Sequence, residues 1–352
     1  MLGRSIEEYA NTGHVPFTSD LIKEYRATRK ERWPWTIGAV STCEATAGKM
    51  LDAGYKKFFR MVKTGEIAEY QRGKRPRKDG QLHGFPRFKC RYDGFVSCKF
   101  WNYAPFAVME SAVKLQGLGA VKLLERGYIP TDAKVKSATV SQRAGRWFIS
   151  VQVEEEIPDE VATGEPIGVD VGISSLATTS DGRCFENPKA LKAALTKIAR
   201  LQRKLERQKK DSNRRAVTRQ KIAKLHLRVC NIRSNATHLA SSSIIGVHSA
   251  EKPAMVIVED LNVAAMKRNH NLAQAVCDAN MGELHRQLKY KAHWHGVEIV
   301  EVDRFFPSSK TCSACGHVLP ELKLSQRTFN CPECGLVLDR DENAAANLKQ
   351  AI

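Results

Sequence analysis

Residues 305–348 read FFPSSKTCSACGHVLPELKLSQRTFNCPECGLVLDRDENAAANL and contain two Cys-x-x-Cys pairs separated by fifteen residues. The pairs are Cys312 with Cys315 and Cys331 with Cys334. A glycine follows each pair and permits the positive φ that so tight a turn requires. Four thiolates at this spacing predict a structural zinc site in which protein ligands fill every position of the metal. With four thiols present, we expect His317 to be a bystander.

The composition indicates a folded protein with a polyanionic partner. The chain has 352 residues, with 56 Lys and Arg against 38 Asp and Glu, so its formal net charge is +18. A hydrophobic fraction of 42% excludes wholesale disorder. No apolar run approaches the roughly 20 residues of a membrane span, and the start MLGRSIEEYANTG lacks the apolar core of a secretory signal. These features favour an intracellular protein that binds nucleic acid.

Acidic residues stand at the ends of the most apolar segments. Asp170 ends the segment Ile167–Asp170, and Glu259 follows the apolar residues 255–258. A carboxylate is costly to bury in such surroundings without a partner, and a divalent cation is one such partner. The segment DRDENAAANL (339–348) supplies a third candidate.

Local spacing leaves open which acid of that segment is the third. Asp339, with Glu342 three residues later, has the spacing of a helix N-cap and its capping-box partner. Asp341 would then lie on the first helical turn. Each carboxylate alone is more often a cap, a salt bridge or a strand end. Together they predict a hard-metal site for phosphoryl transfer, with two Mg²⁺ about 3.5–4 Å apart.

Residues 189–235 are strongly basic, with sixteen Lys or Arg against Glu206 and Asp211. Apolar residues at three-and-four spacing on both sides of KKDSNRR (209–215) predict two helices folded back on one another. A charge run is usually a solvated surface, but this asymmetry favours contact with backbone phosphates. The candidate contacts are Arg203, Arg207, Arg214 and Arg215.

The remaining segments predict helices followed by two kinds of sheet. Residues 1–62 predict helices. Short alternating segments from about residue 95 to 156, with a hairpin turn at 142–145, predict a small barrel or sandwich. From Pro166 onward, strands alternate with helices in an order that predicts an α/β layer with a mixed sheet.

The order of these motifs closely resembles that of the TnpB family, which comprises transposon-encoded RNA-guided DNA endonucleases related to compact type V CRISPR effectors. The resemblance covers most of the chain. It rests on IGVDVG (167–172), the basic hairpin, VIVEDL (256–261), FFPSSKTCSACG (305–316), CPECG (331–335) and DRDENAAANL (339–348), with further matches in AGYKKFF (53–59), GFPRFK (84–89) and GRWFISVQVE (145–154).

The resemblance implies a multidomain α/β fold with a RuvC-like, RNase H-type nuclease domain. The implied domains are a helical recognition domain (1–65), a wedge-type β-barrel (66–160), a nuclease domain (161–306 and 339–352, with the basic hairpin at 189–246) and an inserted zinc ribbon (307–338). Family members usually open with a wedge strand of the type Tyr/Phe-Arg-Leu-Tyr-Pro. This chain begins directly in predicted helices, so either its start is misassigned or the barrel lacks its first strand and has an exposed edge.

The resemblance also implies roles for individual residues. The catalytic acids and magnesium ligands fall on Asp170, Glu259 and Asp341, which selects Asp341 over Asp339. Arg327, between the cysteine pairs, falls where similar nucleases have an arginine near the active site. Arg87 and Lys89, in GFPRFK, are further candidates for nucleic-acid contact.

The implied function is cleavage of double-stranded DNA, directed by a guide RNA that pairs with the target strand. The implied cofactors are structural zinc and catalytic magnesium, and the expected location is the prokaryotic cytoplasm, in association with the nucleoid, with no membrane partner. One alternative is a catalytically impaired RNA-guided DNA-binding regulator, although all three acids are present. The other is a miniature type V CRISPR effector, which no residue here distinguishes.

Overall fold

The chain separates into two units, Met1–Glu155 and Glu156–Ile352. The computed structural model describes residues 1–38, 41–72, 82–87, 96–101, 106–157, 160–323 and 325–352. Within these ranges, no helix combines the length and the apolar character that crossing a membrane would require.

The N-terminal unit begins with helices around an aromatic cluster. They are α1 (Leu2–Thr12), α2 (Thr18–Arg32), a 3-10 turn (Pro34–Thr36), α3 (Ser41–Lys63) and α4 (Glu66–Gln71). Tyr55 and Phe58 of α3 pack edge-on against Phe85, with ring centroids 5.5 and 5.1 Å apart. The buried hydroxyl of Tyr55 lies 2.9 Å from that of Ser5 on α1. The aromatic segment 53–59 therefore forms the core of the helical region.

The strands of the N-terminal unit form two three-stranded antiparallel sheets. They are β1 (Val96–Trp101), β2 (Ala107–Met109), β3 (Ala112–Leu115), β4 (Gly119–Lys122), β5 (Lys134–Arg143) and β6 (Arg146–Glu154), in the orders β1-β5-β6 and β2-β3-β4. The predicted hairpin turn is confirmed, since Ala144 and Gly145 both have positive φ. Phe100 and Ala138 of one sheet share a buried cluster with Val113 of the other. The described strands therefore pack as two sheets, and their closure into one wedge barrel stays a prediction.

The second unit is built on a mixed five-stranded sheet. Its strands are β7 (Ile167–Asp170), β8 (Ser175–Thr179), β9 (Cys184–Glu186), β10 (Met255–Glu259) and β11 (Glu298–Val302). Their order is β11-β10-β7-β8-β9, with β7, β10 and β11 parallel and the other two antiparallel. This arrangement confirms the α/β layer predicted from the order of the segments.

Helices cover this sheet and carry the basic hairpin. They are α5 (Ala190–Glu206), α6 (Asn213–Ile245), α7 (Val263–Met266), α8 (His270–Ala279), α9 (Met281–Trp294) and α10 (Arg340–Gln350), and a short hairpin, β12 (Thr328–Asn330) with β13 (Val337–Asp339), precedes α10. The predicted helical hairpin is confirmed and consists of α5 and α6. Helix α6 has 33 residues and is therefore about 50 Å long.

Asp278 holds the start of that hairpin in place. Its buried carboxylate accepts the backbone N–H groups of Leu191 and Lys192, each at 2.9 Å, at the beginning of α5. It also accepts a hydrogen bond of 2.9 Å from the Arg233 guanidinium on α6. Asp278 thus ties α8 to both helices of the hairpin.

Helix α10 lies directly against β7 because residue 168 is a glycine. A Cβ placed on Gly168 would lie 2.1 Å from the carbonyl oxygen of Ala345 and 2.5 Å from the backbone nitrogen of Lys349. Both are backbone atoms of α10, so no side-chain rotation could relieve the overlap. The glycine therefore sets how closely α10 approaches the sheet, and with it the place of every residue on the first turns of that helix.

We expect Gly168→Ala to lower the free energy of unfolding by at least about 2 kcal/mol, because α10 must shift away from β7 to admit the methyl group. The measurement is the thermal unfolding midpoint. Gly282→Ala on α9 is the matched control, since its Cβ would meet only Val263, at 3.8 Å. That variant should be neutral or gain up to about 1 kcal/mol from helix propensity. Equal effects at the two positions would contradict the close-packing explanation.

Candidate active site

Asp170 and Glu259 stand side by side at the carboxyl ends of parallel strands. In the register of β7 with β10, Val169 pairs with Val258, so the next positions on the two strands are Asp170 and Glu259. Paired residues of neighbouring strands project to the same face of a sheet. In both strands the three residues before the acid are buried and the acid itself is partly exposed. The two carboxylates therefore lie at the same edge of the sheet and on the same face.

Helix α10 brings the third acid to the same edge. Asp339 is its N-cap and accepts the backbone N–H groups of Asp341 at 2.8 Å and Glu342 at 3.3 Å. Asp341 lies on the first turn, has 18% of its side chain exposed and interacts electrostatically with Asp170 at the end of β7. The capping role predicted for Asp339 is confirmed.

The electrostatics of Asp170 show that the three acids interact. Burial, followed by the negative charges of Glu259 and Asp341, raises the pKa of Asp170 to about 7. Burial and the neighbouring Asp339 also raise the pKa of Asp341, against the opposing effect of Arg327 and Arg340. Asp170 and Asp341 thus resist ionisation, and a cation beside them would stabilise their charged forms.

The donor set matches a hard divalent cation. Carboxylate oxygens are the ligands that Mg²⁺ prefers. Within the described part of the chain, no hydrogen-bond donor contacts the carboxylate of Asp170, so its oxygens are available as ligands. Among the described residues, the group of three or more potential ligands within 4.8 Å of one another consists of the cysteines, so the three acids are not packed that closely.

Two further side chains border the acids. The guanidinium of Arg327 lies 3.8 Å from the Asp341 carboxylate and is more than half exposed. The backbone of Arg327 is held by its carbonyl oxygen, which accepts the Arg340 N–H at 2.7 Å. Ser308 donates its hydroxyl hydrogen to Oε1 of Glu259. The sequence pointed to Arg327 only through the family resemblance, and it gave no signal for Ser308.

The four predicted cysteines converge on one point. Their sulfur atoms all lie within 4.8 Å of one another, and the pairs Cys312–Cys334 and Cys315–Cys331 are each 3.6 Å apart. Sulfurs 2.3 Å from a tetrahedral metal would be about 3.8 Å apart. The cluster therefore has the size that a four-thiolate metal site requires. His317 is not part of it and instead lies 3.9 Å from Glu333.

The backbone turns around the cysteines place N–H groups next to the thiols and so affect their pKa values. Gly316 and Gly335 both have φ of 75°, as predicted for the residue after each pair. Burial opposes ionisation of Cys312, but the backbone N–H groups of Cys315 and Ala314 outweigh it and lower the pKa of Cys312 to about 7. The corresponding N–H of Cys334 lowers the pKa of Cys331. In Cys315 and Cys334 the backbone N–H groups of His317 and Leu336 have the same effect, but burial and the neighbouring thiols outweigh them and raise the pKa of both cysteines. Each turn thus favours the thiolate of its first cysteine.

Comparison with known proteins assigns the chain to a family. A family model described as a probable transposase (OrfB_IS605) matches residues 148–270, which include Asp170 and Glu259. One described as Cas12f1-like, TNB domain, matches residues 282–348, which include Asp341 and the cysteines. A protein of Escherichia coli (strain K12) named "Putative RNA-guided DNA endonuclease InsQ" is 32% identical over 372 residues, spanning 99% of this chain and 84% of that protein. The chain belongs to the TnpB family.

Other relatives of this TnpB protein match over shorter spans. A protein of Streptomyces pristinaespiralis named "Putative RNA-guided DNA endonuclease" is 36% identical over 274 residues, which span 76% of this chain and 65% of that protein. The chain thus spans about two thirds of that relative. Among solved structures, a chain in the cryo-EM structure of the Cas12f1–sgRNA–target DNA complex is 16% identical, with a TM-score of 0.45, over 72% of this chain and 59% of that chain.

The basic side chains that are predicted to contact nucleic acid in this TnpB protein differ in their exposure and in their hydrogen bonds. Arg203, Arg207 and Arg214 are exposed. Arg215 is partly buried, and its guanidinium donates to the carbonyl oxygens of Leu205 and, at 3.1 Å, Gln208. That contact closes the end of α5 and gives Arg215 a structural task that the sequence did not indicate. Arg87 is exposed, and Lys89 lies outside the described residues. Contact of any of these side chains with nucleic acid stays a prediction.

Proposed function

We propose that this protein is an RNA-guided DNA endonuclease with a RuvC-like, metal-dependent nuclease domain. The observation that carries the proposal is the meeting of Asp170, Glu259 and Asp341 at one edge of the sheet, in a chain that belongs to the TnpB family. The names of the relatives in Escherichia coli and Streptomyces support the RNA-guided activity.

In this proposal the three acids hold Mg²⁺. Bound Mg²⁺ would activate the attacking water and stabilise the leaving oxygen of the phosphodiester. Asp170 and Glu259 supply oxygen ligands from rigid, neighbouring strand ends, and Asp341 supplies them from a helix locked against the sheet at Gly168. Arg327 is exposed beside Asp341 and is available to contact the scissile phosphate.

The cysteine cluster is proposed to hold one structural zinc ion. The four sulfur atoms, all within 4.8 Å of one another, support a tetrathiolate site. The ribbon at 307–338 has a small core of its own, centred on Phe329, which is fully buried between the cysteines. Zinc would therefore supply most of the folding free energy of this segment.

The proposed partners are a guide RNA and a target DNA duplex. The helical region (1–65) and the strands assigned to the wedge (66–160) are proposed to recognise nucleic acid, and the unit that contains 161–352 to cut it. The proposed location is the prokaryotic cytoplasm, in association with the nucleoid. A catalytically impaired regulator would be expected to have lost one of the three acids, whereas all three are present.

The test is to purify the protein with RNA transcribed from its own locus and to sequence the bound RNA. A duplex that matches this RNA should then be cut in Mg²⁺ and left intact in EDTA. A duplex with a scrambled target sequence is the matched control. Binding of RNA and of the matching DNA without cleavage would identify the regulator, and cutting of both duplexes alike would exclude RNA guidance.

The exposed arginines of the hairpin are expected to contact the backbone phosphates of bound nucleic acid. Changing Arg203, Arg207 and Arg214 together to Gln should weaken nucleic-acid affinity by a similar factor for all sequences. Each lost phosphate contact should also flatten the slope of log affinity against log salt concentration by about 0.7–0.9, because fewer counterions are released. The measurement is a binding titration at several salt concentrations.

A second triple variant controls for net charge. Lys252, Arg286 and Lys289 each pair with a glutamate, at 2.9, 2.7 and 2.8 Å. Changing these three to Gln removes the same formal charge, yet should leave the salt slope close to that of the wild type. Equal flattening in both variants would mean that overall charge governs binding. An unchanged slope in the hairpin variant would mean that its arginines are solvated and do not contact phosphates.

A further inference from the structure

Ser308 lies buried at the start of the cysteine ribbon, next to the end of β10. Only 2% of the residue is exposed, and its hydroxyl donates to Oε1 of Glu259. A hydroxyl has one hydrogen to donate, so this contact fixes one oxygen of Glu259 and leaves Oε2 to other ligands. The side chain of Glu259 is therefore held from one side in a single orientation.

Two buried asparagines of α10 hold Ser308 in turn. The side-chain amide of Asn347 donates to the carbonyl oxygens of Ser308 at 2.7 Å and Thr311 at 2.6 Å. One turn earlier, the amide of Asn343 donates to the same Thr311 oxygen at 2.7 Å and accepts the backbone N–H of Ser313 at 3.0 Å. Both asparagines are at most 3% exposed. The segment 308–313 is thus fastened to α10 by hydrogen bonds at three of its residues.

These contacts connect the cysteine ribbon with two of the acids. Cys312 belongs to the fastened segment, and Asp341 lies on α10 two residues before Asn343. Glu259 reaches the same helix through Ser308 and Asn347. The relative position of Glu259 and Asp341 therefore depends on a continuous series of buried and part-buried hydrogen bonds as well as on the packing of α10 against the sheet.

We propose that Ser308 is a positioning residue that orients Glu259 for divalent-metal binding, and that Asn347 fixes Ser308 for this task. The inference rests on the proposed nuclease function. Residues that hydrogen-bond a metal ligand typically change metal affinity or activity by 10–100-fold when they are removed. The folded segment 308–313 then has a purpose in the active site besides connecting the ribbon to the sheet.

The test compares Ser308→Ala with Ser309→Ala in the full ribonucleoprotein. Ser309 is the matched control, since its hydroxyl makes no hydrogen bond within the described ranges. Ser308→Ala should raise the Mg²⁺ concentration for half-maximal cleavage about tenfold or more. It should also weaken Mg²⁺ binding, measured by calorimetry in the absence of DNA, by a similar factor. Ser309→Ala should match the wild type in both, and Ser308→Thr, which keeps the hydroxyl, should recover most of the Mg²⁺ affinity.

Zinc content and the unfolding midpoint separate positioning from a purely structural role. Both should stay close to wild type in Ser308→Ala, because the change removes one atom and adds none. Loss of zinc or of folding in parallel with Mg²⁺ affinity would overturn the proposal, and so would an unchanged Mg²⁺ requirement. Asn347→Ala gives a second route to the same answer, since it should raise the Mg²⁺ requirement while the Ser308 hydroxyl is still present. Wild-type protein that neither binds Mg²⁺ nor cuts would count against the proposed function instead.

Discussion

Asp170→Asn, Glu259→Gln and Asp341→Asn are each expected to reduce Mg²⁺-dependent DNA cleavage more than 100-fold while leaving RNA binding intact. Each change removes a ligand charge from the edge where β7, β10 and α10 meet, and loss of residues that merely support metal ligands already costs about 10–100-fold. The measurement is the single-turnover cleavage rate with a saturating amount of ribonucleoprotein. Glu301→Gln is the control, because this acid stands on the neighbouring strand β11 and pairs with Lys289. A variant that keeps near-wild-type cutting would remove its residue from the site.

The stability of Asp170→Asn adds a test that misfolding could not imitate. Burial and the neighbouring acids raise the pKa of Asp170 to about 7, so its ionised form destabilises the folded protein. The destabilisation is absent below the unfolded pKa of about 4, develops as the pH rises, and is complete above about 7. Without divalent cations, Asp170→Asn should therefore raise the unfolding midpoint at pH 8 and leave it unchanged near pH 4. A lower midpoint at pH 8 would attribute the lost activity to damaged folding.

Replacing Cys312 and Cys331 with Ser should release zinc, unfold the ribbon and strongly reduce cleavage. Zinc sites of this kind supply about 10 kcal/mol or more of folding free energy, and the ribbon has little core besides Phe329. Because Cys312 lies in the segment fastened to α10, unfolding of the ribbon should also release Ser308 from Glu259. Elemental analysis should find one zinc per wild-type chain and none in the variant.

Cys184 and Cys277 provide the control for this pair, since both are exposed and lie outside the cluster. Their replacement with Ser should change neither the zinc content nor the cleavage rate. The result that would sink the zinc assignment is a wild-type preparation that is free of zinc and still active.

Much of the second unit could be predicted because its apolar segments are unambiguous. The segments Met255–Glu259 and Ile167–Asp170 each end in one acid, and a buried strand end is the simplest location for such an acid. The parallel pairing that puts Asp170 next to Glu259 could not be read from either segment, because register depends on contacts between residues far apart in sequence. The choice between Asp339 and Asp341 required the family resemblance, since the local spacing allowed both acids a role.

The positioning residues could not be predicted for a related reason. Ser308 and Asn347 are ordinary polar residues in sequence, and only their burial and partners in the folded chain give them a task. Asp278 and Arg215 are similar cases, each bonding backbone groups that local spacing does not identify. In the N-terminal unit, alternating residues predicted the strands but not the division into two sheets, because alternation fixes which face is buried and not which strands pair.

The most direct measurement of the proposed metal centre is anomalous diffraction from crystals of the ribonucleoprotein grown with Mn²⁺ in place of Mg²⁺. We expect manganese peaks about 2.2 Å from carboxylate oxygens of Asp170, Glu259 and Asp341, with zinc at the cysteine cluster as the internal reference. Manganese bound elsewhere, with these three carboxylates free of metal at a saturating concentration, would contradict the proposed metal centre.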